Sequence, residues 1–174
     1  MKLSSYAKHD KAEIKQLFIQ VFSESEGILI GNLVSDLINN TNPQDIFGYV
    51  ATDNEQIIGC IFFTRLVFDK PIEAFILSPV AVQTKYQGKG VGKKLINFGI
   101  STLKEAEVKI LITYGDPNFY SKTGFQSISE KIIQAPQKLS QPEGWLCQTL
   151  DGSKIQHIPG KPRCVEALNK AVYW

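Results

Sequence analysis

Val80-Ala81-Val82-Gln83-Thr84-Lys85-Tyr86-Gln87-Gly88-Lys89-Gly90-Val91-Gly92-Lys93-Lys94-Leu95 passes from a strand-like run into a helical pattern through a turn holding three glycines. Glycine lets a backbone approach a ligand closely, and a helix N-terminus points free N–H groups at an anion. The charge agrees. From Ala74 to Lys104 there is no Asp or Glu, while Lys85, Lys89, Lys93, Lys94 and Lys104 all fall in that window. Lys93 and Lys94 stand in the first helical turn, against the macrodipole, at roughly 0.3–1 kcal/mol per charge. A bound polyphosphate reverses the sign of that effect. Lysines alone are equally well read as a solvated surface. Lysines with three glycines at a strand–helix junction favour a phosphate site. A P-loop fails here, because the residue five after Gly88 is Lys93 and not glycine. The dinucleotide fingerprint needs G-x-G-x-x-G, whereas the spacing is G-x-G-x-G.

Upstream, a short strand is expected in the first residues. A helix follows over 9–23, with Asp10 as N-cap, Glu13 three residues on, and Ile14, Leu17, Phe18, Val21 and Phe22 at helical spacing. A second helix is expected over 28–39, with Leu29, Leu33, Leu37 and Ile38 inward, ended by Asn42-Pro43. The period then changes to strands over 46–52, 56–68 and 72–82, joined by turns at Asp53-Asn54-Glu55 and Asp69-Lys70-Pro71. Tight turns imply an antiparallel meander. Pro79 marks a bulge or a splayed end in the last of these strands.

Downstream, the pattern predicts a helix over 91–103 buried through Leu95, Ile96, Phe98, Ile100 and Leu103, then a strand over 109–114. Strand, helix and strand make a crossover, so this part is parallel. A short helix over 117–122 has Asp116 as cap and Pro117 at its first position. A strand over 125–133 follows, then a proline-bearing tail with a strand over 144–150 and a helical turn over 164–171. The fold class is α/β: a mixed central sheet, an antiparallel N-terminal meander followed by a parallel βαβ part. A single domain over 1–174 is expected, with 1–133 as its core and 135–174 as a C-terminal extension packed on it.

Bulk properties narrow the classes. The chain has 174 residues, 43% hydrophobic and 21% charged, which suits one globular domain. A net charge of +2 offers no global field for nucleic acid. Cys60, Cys147 and Cys164 are too far apart for a C-x-x-C pair, and an odd count fits a reducing cytoplasm. No apolar run approaches the ~20 residues that span a bilayer, so no membrane partner is expected. His9 and His157 are isolated, and no metal is expected. Trp145 and Trp174 are open between core packing, an acceptor-cleft cover and a dimer contact.

Gln87-Gly88-Lys89-Gly90-Val91-Gly92 resembles the Q/R-x-x-G-x-G/A signature of the GNAT superfamily of N-acetyltransferases. Asn118-Phe119-Tyr120-Ser121-Lys122-Thr123-Gly124-Phe125 resembles that family's F-Y-x-x-x-G-F segment. The inferred element order matches as well, over roughly 1–133. Ser25-Glu26-Gly27 through Leu37, Gly115-Asp116-Pro117 and a Trp-containing strand before the tail resemble the bacterial YhbS-type branch.

The resemblance implies an acetyl-CoA-dependent N-acetyltransferase that works by direct transfer in a ternary complex. It implies that backbone at Val80, Ala81 and Val82 runs beside the pantetheine arm. Backbone N–H groups of Gln87, Gly88, Lys89, Gly90, Val91, Gly92 and Lys93 then cradle the pyrophosphate. It further implies that Asn118 holds the pantetheine and that Tyr120 protonates the departing thiolate. Tyr120 as a core aromatic is the plainer alternative, for which Phe119 is the better candidate. The stretch Phe75-Ile76-Leu77-Ser78 carries no carboxylate to serve as base; Glu73, Glu26, a water on Ser78 or an amine that arrives neutral are the options. The acceptor is an amine on a small molecule or a protein, and a homodimer is the common assembly. Two other readings stay open: a catalytically weak acyl-CoA-binding sensor, and a nucleotide-binding fold.

Overall fold

The computed structural model describes residues 1–174. In chain order the main elements are β1 (Lys2–Ser5), α1 (Lys11–Val21), α2 (Glu24–Asn40), β2 (Ile46–Asp53), β3 (Gln56–Leu66), β4 (Ala74–Val82), α3 (Val91–Glu105), β5 (Ile110–Tyr114), α4 (Pro117–Tyr120), β6 (Gln126–Ser127) and β7 (Trp145–Thr149). The strands hydrogen-bond in the order β1-β2-β3-β4-β5-β7-β6. β1 and β2 run antiparallel and β4 and β5 parallel, so the expected mixed α/β sheet is what the chain forms. Two compact units divide the chain: residues 1–62 with 79–99, and residues 63–78 with 100–174.

In the first unit, α1 and α2 form a hairpin whose buried side is Ile14, Leu17, Phe18, Leu33, Val34 and Leu37. Phe18 packs on Phe62 of β3, ring centroids 6.3 Å apart. Gly59 is three residues away on the same strand and so faces the other side of the sheet, against Val91 and Leu95 of α3. The strand therefore has helices on both faces, which explains its nearly unbroken apolar run. β2 and β3 meet at the two-residue turn Asn54-Glu55, both with positive φ (48° and 62°), the backbone that a tight hairpin demands.

Two expectations for these helices need correction. Asp10 stands at the N-cap of α1 as expected, but its carboxylate makes no hydrogen bond into that helix and forms no capping box with Glu13. The Asp10 carboxylate instead accepts the Ala7 N–H at 2.7 Å, closing a 3₁₀ turn over Lys8–Asp10. Glu13 accepts the Ile57 N–H at 2.7 Å and so ties α1 to β3. The second helix begins at Glu24, not at residue 28, and runs through Gly27 and Gly31. Propensity argues against that, but packing decides it. A β-carbon on Gly27 would lie 2.4 Å from the Ile19 carbonyl oxygen, and one on Gly31 would lie 2.6 Å from the Ile19 side chain. The two glycines let α1 and α2 close on each other. Leu29 and Ile38 are only half-buried, and Val34 takes the inner position.

In the second unit β5 is central. It pairs with β4 from Ala74↔Ile110 to Leu77↔Thr113, and with β7 antiparallel from Ile110↔Thr149 to Tyr114↔Trp145. The pairing with β4 thus stops two residues before Pro79, as a splayed end requires. The tail strand expected over 144–150 is β7, inserted between β5 and β6. The strand expected over 125–133 shrinks to Gln126–Ser127. Ser129 is the reason: its carbonyl accepts from Ile132 and Ile133 N–H, and its hydroxyl accepts from Lys131 N–H, so the chain turns there. Trp145 is fully buried and Trp174 is 6% exposed. Their indole N–H groups donate to the Ile133 and Leu168 carbonyls, so both are core residues. The expected last helical turn is two 3₁₀ turns, Glu166–Leu168 and Ala171–Tyr173.

Candidate functional site

The glycine turn lies in the first unit. β4 ends at Val82, a 3₁₀ turn spans Thr84–Tyr86, and α3 starts at Val91. Along the strand end Val80 and Val82 are half-exposed and Ala81 is buried. Gln87, Gly88, Lys89, Gly90 and Lys93 are exposed, whereas Val91 and Gly92 are buried beneath the helix start. Gly88 has φ +73° and Gly90 φ +81°, a left-handed backbone that strains any other residue. No atom lies within 4 Å of where their β-carbons would stand, so the turn presents bare backbone to open space. The first helical hydrogen bond runs from Lys94 N–H to the Gly90 carbonyl at 3.0 Å. The N–H groups of Val91, Gly92 and Lys93 therefore have no carbonyl one turn back. The first turn of α3 contains no acidic residue. An anion placed there meets amide dipoles, the positive helix end and lysine ammonium groups together.

The approach to the turn is held by side chains. Gln87 donates from its amide to the Val82 carbonyl at 2.9 Å. Gln83 donates from its backbone N–H to the Ile58 carbonyl at 2.8 Å and from its side chain to the Ile57 carbonyl at 2.9 Å. The Val82–Gln83 peptide is thus fixed at both of its polar groups. Sequence reading assigned Gln87 through its backbone alone and missed this brace.

The second group of residues lies in the other unit. Asp116 caps α4 through a hydrogen bond from Asn118 N–H, 2.9 Å, with Pro117 at the first helical position, as the sequence predicts. Asn118 is exposed and Tyr120 half-buried, two residues apart. The Tyr120 ring lies against the backbone of Gly115, where a β-carbon would be 2.6 Å from the ring. It also meets Phe119 edge-on at 4.9 Å and Phe125 at 5.9 Å. Phe125, at 3% exposure, is the core aromatic of this segment; Phe119 is only half-buried. Burial pushes the Tyr120 phenol up to about 12. The Thr113 hydroxyl beside it pulls down and the Asp116 charge pushes up further. Thr113 is itself fully buried and donates to the Leu77 carbonyl at 2.9 Å. Thr113 was not singled out from sequence, and Gly115 was noted only as part of the Gly115-Asp116-Pro117 resemblance. Only the Gly-Asp-Pro run before the short helix hints that a side chain needs room at 115.

The remaining candidates are engaged elsewhere or inert. Glu73 precedes β4 and takes a hydrogen bond from Arg65 at 2.5 Å. Glu26 is an exposed residue in the first turn of α2. Burial raises all three thiols, Cys147 to about 12, so none is poised as a thiolate. No group of three or more His, Cys, Asp or Glu residues is placed to hold a metal ion. No helix is long and apolar enough to cross a membrane.

Comparison with known proteins finds acetyltransferase likenesses. A family model described as an acetyltransferase (GNAT) domain matches residues 44–127. The uncharacterized N-acetyltransferase YjhQ of Escherichia coli K12 is 28% identical over 166 residues, covering 91% of this chain and 89% of that protein. The uncharacterized N-acetyltransferase YhbS of the same organism is 37% identical over 81 residues, 45% of this chain and 48% of that protein. Among solved structures, E. coli YhbS in complex with CoA superposes with a TM-score of 0.84 at 24% identity, covering 97% of this chain and 92% of that one. A GNAT-family acetyltransferase of Brucella melitensis in complex with acetyl-CoA gives 0.74 at 21% identity, covering 96% and 97%.

Proposed function

We propose that the chain is a GNAT-type acetyltransferase, a reading supported by the match of residues 44–127 to an acetyltransferase (GNAT) domain model, and that it transfers an acetyl group from acetyl-CoA directly to a primary amine of its acceptor, in one ternary complex. The observation that carries this reading is the turn with left-handed Gly88 and Gly90 at the head of α3, with open space at both glycines and no acidic residue in the helix's first turn. Relatives crystallised with CoA or acetyl-CoA support the choice of phosphate ligand.

In this reading the N–H groups from Gln87 to Lys93 hold the pyrophosphate. Backbone at Val80, Ala81 and Val82, with Asn118, accompanies the pantetheine arm, and the Val82 N–H polarises the thioester carbonyl. The amine nitrogen attacks the carbonyl carbon, the C–S bond breaks, and the sulfur leaves as thiolate. Tyr120 donates to that sulfur, and the proton lost by the amine restores the balance. A phenol near 12 is a weaker acid than a thiol at about 8.5, so complete transfer alone runs uphill by roughly 4–5 kcal/mol. Tyr120 therefore acts first as a hydrogen-bond donor to the developing charge and yields its proton only as the amine releases one.

Incubation with acetyl-CoA and a panel of polyamines, amino acids, aminoglycosides and lysine peptides, with free thiol as the readout, tests the reading. Amine-dependent thiol release is expected with at least one class. Tight CoA binding without release across the panel would instead favour the sensor.

A further inference from the structure

Tyr86 stands immediately before the motif and reaches out of its own loop. Its hydroxyl donates to the Asp53 carboxylate at 2.9 Å, in the β2–β3 hairpin. Its ring receives the Lys85 ammonium at 5.1 Å from the centroid and the Lys89 ammonium at 5.7 Å, both within cation–π range. Its backbone N–H donates to the Gln83 carbonyl at 2.8 Å, and Gln87 N–H donates to the Thr84 carbonyl at 3.2 Å. Just beyond these contacts come Gly88 and Gly90, with open space around both. A turn with that much backbone freedom loses it when it closes on a ligand, and affinity falls accordingly. A fixed post on its N-terminal side reduces the loss.

We propose that Tyr86 and Asp53 form a latch that pre-organises the glycine turn and gathers two lysines beside it, making Tyr86 a positioning residue for acetyl-CoA binding rather than for catalysis. The proposal rests on the reading of this turn as the pyrophosphate site. The chemistry of the pair suits a permanent latch. The hydroxyl donates to a carboxylate, which is among the stronger hydrogen bonds, and holding the proton between them raises the phenol further above its ordinary range. The bond joins positions far apart in sequence, so the loop is anchored to the sheet and not merely folded on itself.

The test is steady-state kinetics and calorimetric CoA binding on Tyr86→Phe, Asp53→Ala, Asp53→Asn and the Tyr86→Phe/Asp53→Ala double variant. Tyr86→Phe keeps the ring for the two lysines and removes only the hydroxyl. KM for acetyl-CoA and Kd for CoA are expected to rise about five- to twenty-fold with kcat unchanged. Asp53→Ala is expected to match it, Asp53→Asn to retain most of the affinity because its amide oxygen still accepts, and the double variant to be no worse than either single. Equal Kd values for wild type and Tyr86→Phe, or additive losses in the double variant, overturn the latch. Absence of CoA binding by the wild type overturns the underlying site reading instead. Melting curves on each variant separate a folding loss, which moves Tm and kcat together, from the expected KM change alone.

Discussion

Tyr120 shows how far a single residue can be read. Its type and place in the Phe119-Tyr120 segment suggest an acid, yet its strength depends on packing that no sequence pattern reports. Gly115 makes room for the ring, and burial drives the phenol to about 12. Tyr120→Phe is expected to lower kcat by about 10²-fold, in the range of general-acid contributions, with KM for acetyl-CoA changed less than about three-fold. Stopped-time thiol assays at saturating amine check it; unchanged turnover would remove the role. The pH consequence has a definite sign. The phenol is protonated throughout the neutral and mildly alkaline range, so it supplies no descending limb to the kcat profile between pH 7 and 10. Its folded value is raised above the ordinary 10.0, so the stability it contributes is fully present below pH 10 and is lost as pH climbs toward about 12. Alkaline unfolding of wild type and Tyr120→Phe, followed by circular dichroism, should show the variant losing less across that window. The glycine turn was legible from sequence because its two requirements, positive φ and positive charge, are local. The Tyr86–Asp53 bond was not, because its partner lies 33 residues away in the β2–β3 hairpin.

Elements follow the same division. The short helix α4 is legible because Asp116 and Pro117 act on their immediate neighbours. The strand expected over 125–133 is longer than the one formed because the hydrogen bonds that Ser129 collects turn the chain. The start of α2 falls too late in that reading because Gly27 looks like a helix breaker in isolation. In the hairpin it is the residue that permits contact, with the Ile19 carbonyl oxygen 2.4 Å from where an alanine methyl would stand. Gly27→Ala should therefore destabilise the protein by about 1–3 kcal/mol, although alanine is the better helix former by roughly 1 kcal/mol. Urea unfolding measures the sum. A stabilised variant would show that the hairpin can open without penalty.

At the scale of the whole chain, sequence reading recovers the α/β class, the antiparallel start and the parallel crossover. It does not anticipate that the tail supplies a strand between two earlier ones. β7 enters the sheet between β5 and β6, and long-range pairing of that kind leaves no local signature. A chain ended at residue 133 would leave β5 without its antiparallel partner and remove Trp145 from the core. Such a truncation is expected to aggregate or to lack a cooperative melting transition; a soluble, cooperatively folding product would contradict the role assigned to β7.

The donor site is the centre of the functional reading, and it has a direct test. Acetyl-CoA is titrated calorimetrically into the wild type and into Gly90→Ala, with ATP and NAD as comparison ligands. The turn at φ +81° resists any side chain, so alanine is expected to weaken acetyl-CoA at least about ten-fold, while ATP and NAD bind neither protein appreciably. Equal acetyl-CoA affinity in the two proteins, or preferential binding of ATP or NAD, would contradict the assignment of this turn to the acetyl donor.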